Sequence, residues 1–98
     1  MTIKRKEQKI HNIAKVYLSL FLRRSAVFGI FHNSHLSSFQ TSVEFAYSSL
    51  SAPLKRIINN DFFYQDYPGW WKLIYKKNDY QRLRKQAVTS FLEVFYAI

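Results

Sequence analysis

An all-α fold is what this sequence predicts: a compact bundle of about five helices ending in a helix-turn-helix. Three observations predict it. Apolar residues recur at spacings of three and four along most of the chain, no stretch makes a convincing strand, and a short apolar segment, a polar turn and a long basic helix close the chain. The 98 residues support one hydrophobic core and so a single domain over residues 1–98, which excludes a two-domain enzyme. With 48% hydrophobic and 18% aromatic residues the chain has the material to fold, and zero cysteines exclude disulfides and thiolate metal sites, leaving a reducing cytoplasm as the expected compartment.

Ile10, Ile13, Ala14, Tyr17, Leu18 and Phe21 predict a first helix over about residues 4–22, with Lys9, Lys15 and Ser19 away from its apolar stripe. Residues 26–31 either continue it, with Gly29 as terminator, or form a short strand, and residues 32–35 read as a loop. Leu36, Phe39, Val43, Ala46 and Leu50 give a second helix ending near Ser49. Ser51 and Pro53 start a third, by side-chain capping and by a proline tolerated in the first turn, and it presents Leu54, Ile57, Ile58, Phe62 and Phe63. Pro68 opens a short fourth helix with a wide apolar face of Trp70, Trp71, Ile74 and Tyr75. Lys76, Lys77 and Asn78 make a turn, and Asn78 or Asp79 caps a long last helix with Tyr80, Leu83, Ala87, Phe91 and Val94 in its stripe. The organisation is a basic N-terminal helical segment, residues 1–35, and a helical core, residues 36–98, whose helix-turn-helix spans about 68–96.

The net charge of +9 is concentrated. Lys4, Arg5, Lys6, Lys9, Lys15, Arg23 and Arg24 against Glu7 give residues 1–24 a local +6, and Lys72, Lys76, Lys77, Arg82, Arg84 and Lys85 against Asp79 give residues 72–85 a local +5. Clustered cations repel one another unless a polyanion neutralises them, so nucleic acid is the leading partner class, a solvated basic face being the alternative, and the helix-turn-helix layout makes duplex DNA the expected partner. On the last helix Asn78, Gln81, Arg82 and Lys85 are expected to reach base edges in the major groove. Lys72, Lys76, Lys77, Arg84 and Thr89 are expected to hold phosphates.

The stretch WWKLIYKKNDYQRLRKQAVTSFLEV, residues 70–94, resembles the C-terminal helix-turn-helix of phage late-transcription activators of the ArpU and RinA kind and, more distantly, region four of sigma factors. The matching elements are Trp71, the turn at Lys77 and Asn78, the run from Tyr80 to Lys85, and Ala87 and Val88 followed by Phe91. SLSAPLKRIINNDFF, residues 49–63, resembles the Leu-rich helix that precedes the motif in those families. Ile74 and Tyr75 stand where a small residue is usual, and the usual turn glycine is absent. The Lys-, Asn-, Tyr- and Phe-rich style looks like that of mollicute chains, among which small sigma-like regulators occur. The resemblance implies a DNA-binding transcription regulator.

Other chemistry is less well served. His32 and His35 lie in the expected loop without nearby carboxylates, so no metal site is expected; Asp61 and Asp66 read as helix-end charges with no activated nucleophile beside them, so neither catalysis nor a cofactor is expected. Trp70 and Trp71 are expected to fill core rather than stack on single-stranded bases. Residues 13–22 are too short and too charged for a bilayer span, and a basic amphipathic helix on a membrane surface is the minor alternative for residues 4–24. Nine further aromatics between Phe28 and Tyr67 exceed what a small domain hides easily. That surplus supports a competing function: a helical adaptor docking on RNA polymerase or a ribosome, with its charge making non-specific contact to nearby RNA, or on a second copy of the chain, with Ile13, Tyr17 and Phe21 on the docking stripe.

Overall fold

The computed structural model describes residues 2–26, 34–65 and 67–97, with side chains for 2–20, 38–65 and 67–97. Among them are four α-helices and no strand: α1 (Ile3–Ala26), α2 (Ser34–Ser48), α3 (Ala52–Ile58) and α4 (Lys77–Ala97). The expected all-helical class stands, with one α-helix fewer than the five expected. The expectations at Gly29, His32, Phe28, Phe31 and Asp66, and for the side chain of Phe21, lie outside the described residues.

The first helix runs from Ile3 to Ala26 rather than from residue 4 to 22. Its start has a local cause: Thr2 Oγ1 accepts the Arg5 amide at 3.3 Å, which satisfies one of the donors left free in a first turn. Ile10, Ile13 and Ala14 are buried while Lys4, Arg5, Gln8, Asn12 and Lys15 are exposed, the one-sided pattern a surface helix needs. In α2 the buried positions are Val43 and Ala46, with Phe39 and Tyr47 half-buried beside them and Leu50 buried just past the helix end. Ser51 stands at the start of α3 in extended conformation, but its hydroxyl makes no capping bond; its carbonyl accepts the Lys55 amide at 2.9 Å and Pro53 needs no partner there.

The sequence pattern did not anticipate how α3 ends. Residues Asn59–Phe63 continue it as a π-helical turn, and the Tyr64 amide reaches back five residues to the Asn59 carbonyl at 2.8 Å. The wider turn seats the adjacent Phe62 and Phe63 both in the core, together with Leu54, Ile57 and Ile58. Gln65, at φ 45°, then takes the left-handed conformation that stops a helix.

The expected fourth helix does not form. From Pro68 to Ile74 the chain makes successive turns, with amide-to-carbonyl bonds from Trp70 to Tyr67, Lys72 to Gly69, and Ile74 and Tyr75 to Trp71. Tertiary anchoring of the two tryptophans overrides the helical spacing: Trp70 is buried and Trp71 stacks on Tyr80, ring centroids 4.3 Å apart and planes 3° from parallel. Leu73 and Ile74 consequently point outward instead of joining an apolar face.

The long helix α4 is the axis of the core and packs on α1, α2 and α3. Tyr80, Ala87, Val88, Phe91 and Leu92 are buried, and Leu83, Val94 and Phe95 are half-buried against them. A run of aromatic contacts ties the layers together: Tyr17 meets Phe63 edge-on at 5.9 Å, Phe63 meets Phe91 at 6.2 Å, Phe91 stacks with Phe95, and Phe95 meets Phe39 at 5.9 Å. Phe91→Ala empties the middle of that run. It is expected to destabilise the protein by about 3–5 kcal/mol in denaturant unfolding, and a loss under 1 kcal/mol would mean that α4 does not centre the core.

Candidate nucleic-acid interface

The site is built outward from one carboxylate. Asp61 Oδ1 accepts the Trp70 indole N–H at 2.9 Å, and Oδ2 accepts both the Tyr80 hydroxyl and, at 3.0 Å, Arg84 Nε. Another guanidinium nitrogen of Arg84 donates to Glu7 on α1, and the guanidinium carbon lies 4.8 Å from the centre of the Phe62 ring. One network thus joins α1, the π-helical turn, the turn segment and the start of α4. Burial pushes the Tyr80 phenol well above its ordinary value, the hydrogen bond to Asp61 and the charge of Asp61 add to the rise, and Arg84 opposes it, so Tyr80 stays a neutral donor.

This network fixes where the cations stand. With Trp70 clamped to Asp61 and Trp71 stacked on Tyr80, the turn segment presents exposed Lys72 and Lys76 before α4, while Lys77 and Asn78, expected in the turn, are already the first residues of that helix. Asn78, Gln81, Arg82 and Lys85 are exposed on α4 itself, and at 100° per residue they share an arc of roughly 100°. Arg82 pairs with Asp79 at 3.4 Å in an open surface contact that costs little to exchange for another anion.

Two expected phosphate contacts sit elsewhere. Arg84 is only 25% exposed and its guanidinium is committed to Asp61 and Glu7, so it holds the fold together. Thr89 is half-buried and accepts Lys6 Nζ at 3.3 Å, which brings an N-terminal cation to the α4 surface. Two turns on, Lys9 Nζ lies 5.0 Å from the centre of the Tyr96 ring. Through Lys6–Thr89 and Glu7–Arg84, contacts 83 and 77 residues apart in sequence, the basic start of α1 lies beside α4.

The expected docking stripe is largely occupied within the molecule. Ile13 is a core residue, and Tyr17 lies against Phe63 and donates to Glu44 Oε1 at 3.0 Å. Among the described residues no three His, Asp or Glu side chains converge on a point where a metal could bind, and His11 lies with its ring 4.7 Å from that of Phe62. No helix among them is long and apolar enough to cross a membrane.

The sequence reading missed the role of Asp61 and misplaced Arg84. The available signal was that Tyr80 and Arg84 are four apart and both border the apolar stripe of α4, where a charge needs a partner.

Asp61→Ala leaves a phenol and an indole without their acceptor and the Arg84 guanidinium with Glu7 alone. A loss of about 3–5 kcal/mol and a red-shifted tryptophan emission are expected, whereas the exposed Arg82→Ala should change stability by no more than about 0.5 kcal/mol. Because the Tyr80 value is raised on folding, the protein should keep its full Tyr80-linked stability below the free phenol value of about 10 and lose it as pH rises above that. Denaturant midpoints measured from pH 8 to 11 should fall more steeply for wild type than for Tyr80→Phe; equal slopes would remove Tyr80 from the alkaline transition. Compared with protein-family models, curated proteins and solved structures, the chain matches none, so its function is read from this surface.

Proposed function

We propose that the protein is a DNA-binding transcription regulator that lays the first half of α4 in the major groove of duplex DNA. The observation that carries this reading is the one-sided exposed row Asn78, Gln81, Arg82 and Lys85 at the start of a rigidly held helix whose first residue is Lys77, with Lys72 and Lys76 before it. Major-groove recognition needs donors of this kind near a helix N-terminus and cations at the groove edge: Arg and Lys donate to guanine O6 and N7, Gln and Asn pair with adenine N6 and N7, and flanking lysines neutralise phosphates. In this reading α3 with its π-helical turn serves as the first helix of a helix-turn-helix. The anchored segment 64–76 is its unusually long connection, and α4 is the recognition helix. Lys6, beside Thr89, takes the phosphate position expected of Thr89, and Arg84 is left to its structural role. The resemblance to phage late activators and to sigma region four supports α4 as the recognition helix, in a cytoplasm where DNA is accessible, but it puts the motif's first helix at about 68–75, where the chain forms turns, and residues 49–63 before the motif.

The second reading, an adaptor docking on RNA polymerase or a ribosome, draws on the exposed apolar side chains of Val16 on α1 and Phe45 on α2. It predicts weak, nearly indifferent binding to naked DNA.

Fluorescence anisotropy against duplex DNA, single-stranded DNA and duplex RNA across a salt series separates the two. Duplex DNA should be preferred, and log K should fall with log salt at a slope of roughly −4 to −5, as about five neutralised phosphates require. Arg82→Ala with Lys85→Ala should weaken duplex binding by about 30-fold or more without loss of fold. Unchanged affinity would remove α4 from the interface.

A further inference from the structure

Leu73 is 96% exposed and Ile74 45% exposed, and neither is exposed through looseness of the chain. The turn that carries them is pinned from inside by the Trp70–Asp61 hydrogen bond and the Trp71–Tyr80 stack, and closed by the Ile74 and Tyr75 amides on the Trp71 carbonyl at 2.9 and 2.8 Å. Residues 67–78 carry Lys72, Lys76 and Lys77 and no carboxylate. A rigid aliphatic tip is thus flanked in sequence by Lys72 on one side and Lys76 and Lys77 on the other, four residues before the helix assigned to the major groove. We propose that Leu73, supported by Ile74, is a wedge that inserts between two base pairs in the minor groove flanking the α4 site, unstacking that step and bending the duplex.

The size and setting of the tip favour this occupant. Architectural DNA-binding proteins use a single Leu or Ile in this way, with basic residues holding the phosphates on either side of the opened step. A stable protein interface needs roughly 800 Å² from each partner, far more than two aliphatic side chains offer. Those two side chains also carry fewer carbons than a myristoyl chain, which is itself a marginal membrane anchor. Lysines on both sides of the tip match a polyanion that continues past the wedge in both directions, and pyrimidine–purine steps such as TA open most readily.

The inference rests on the DNA-binding reading, and the test separates the two. Full-length protein is titrated onto a short duplex with a fluorophore at each end and 2-aminopurine at a TA step. Anisotropy reports binding, energy transfer between the ends reports bending, and 2-aminopurine emission reports unstacking. Wild type should raise both energy transfer and 2-aminopurine emission. Leu73→Ala, whose side chain touches almost nothing, should fold normally by circular dichroism, bind about tenfold more weakly and abolish both signals, while Leu73→Phe should retain them. Binding without bending or unstacking, or signals unaffected by Leu73→Ala, overturns the wedge and leaves DNA binding standing. Absence of duplex binding by wild type overturns both readings. Binding to phosphatidylserine vesicles that Leu73→Ala removes, with no unstacking of DNA, overturns the wedge in favour of a lipid surface.

Discussion

The Asp61 carboxylate is the constraint on which the arrangement depends. It is nearly buried, and a carboxylate removed from water is tolerable only when charge and hydrogen bonds replace its hydration. Three donors do so here: an indole, a phenol and a guanidinium whose other side is held by Glu7. Each donor comes from a different stretch of chain or a different turn of helix, so satisfying one carboxylate sets the position of α1, the turn segment and the beginning of α4 together. The π-helical turn belongs to the same solution. It lets Phe62 and Phe63 both enter the core while Asp61, immediately before them, faces the polar cluster.

Around that centre the apolar packing is distributed along α4. The aromatic run from Tyr17 through Phe63, Phe91 and Phe95 to Phe39 links α1, the π-helical turn, α4 and α2, and every ring in it is buried or half-buried. The outer side of α4 is free of such duties in its first half, which is why Asn78, Gln81, Arg82 and Lys85 stay exposed on a helix whose inner side is locked. For recognition this matters physically: a donor on a rigid helix loses less conformational freedom on binding than one on a loop.

A net charge of +9 on 98 residues works against compactness, because like charges are drawn together as the chain folds. The fold reduces that repulsion at a few points. Arg84 is shared between Asp61 and Glu7, Lys9 sits over Tyr96, and Arg56 sits over Trp70 at 5.4 Å. Most of the remaining cations along the turn segment, the outer side of α4 and the adjoining start of α1 face solvent. Under the proposed function, a bound polyanion would neutralise these cations and relieve repulsion that folding introduced. In the proposed DNA-binding reading, the phosphate-binding Lys72 and the aliphatic tip at Leu73 would draw on the same anchored turn.

What the sequence by itself determined was the helical class, most of the core and the exposed row on the last helix. Spacings of three and four are a property of neighbouring residues on one helix, and they correctly placed Ile10, Ile13 and Ala14, Val43 and Ala46, Ile57 and Ile58, and Tyr80, Ala87 and Phe91 in the interior. What only the tertiary structure decided was everything set by contacts distant along the chain. Residues 68–75 have helical spacing yet form turns, because two tryptophans gain more from Asp61 and Tyr80 than from a helix of two turns. Arg84 reads as a surface cation until Glu7 and Asp61, 77 and 23 residues away, close on it. Lys6 meets Thr89 for the same reason. Periodicity records which side of a helix turns inward; which carboxylate meets which cation depends on how the helices are brought together, and no local pattern encodes that.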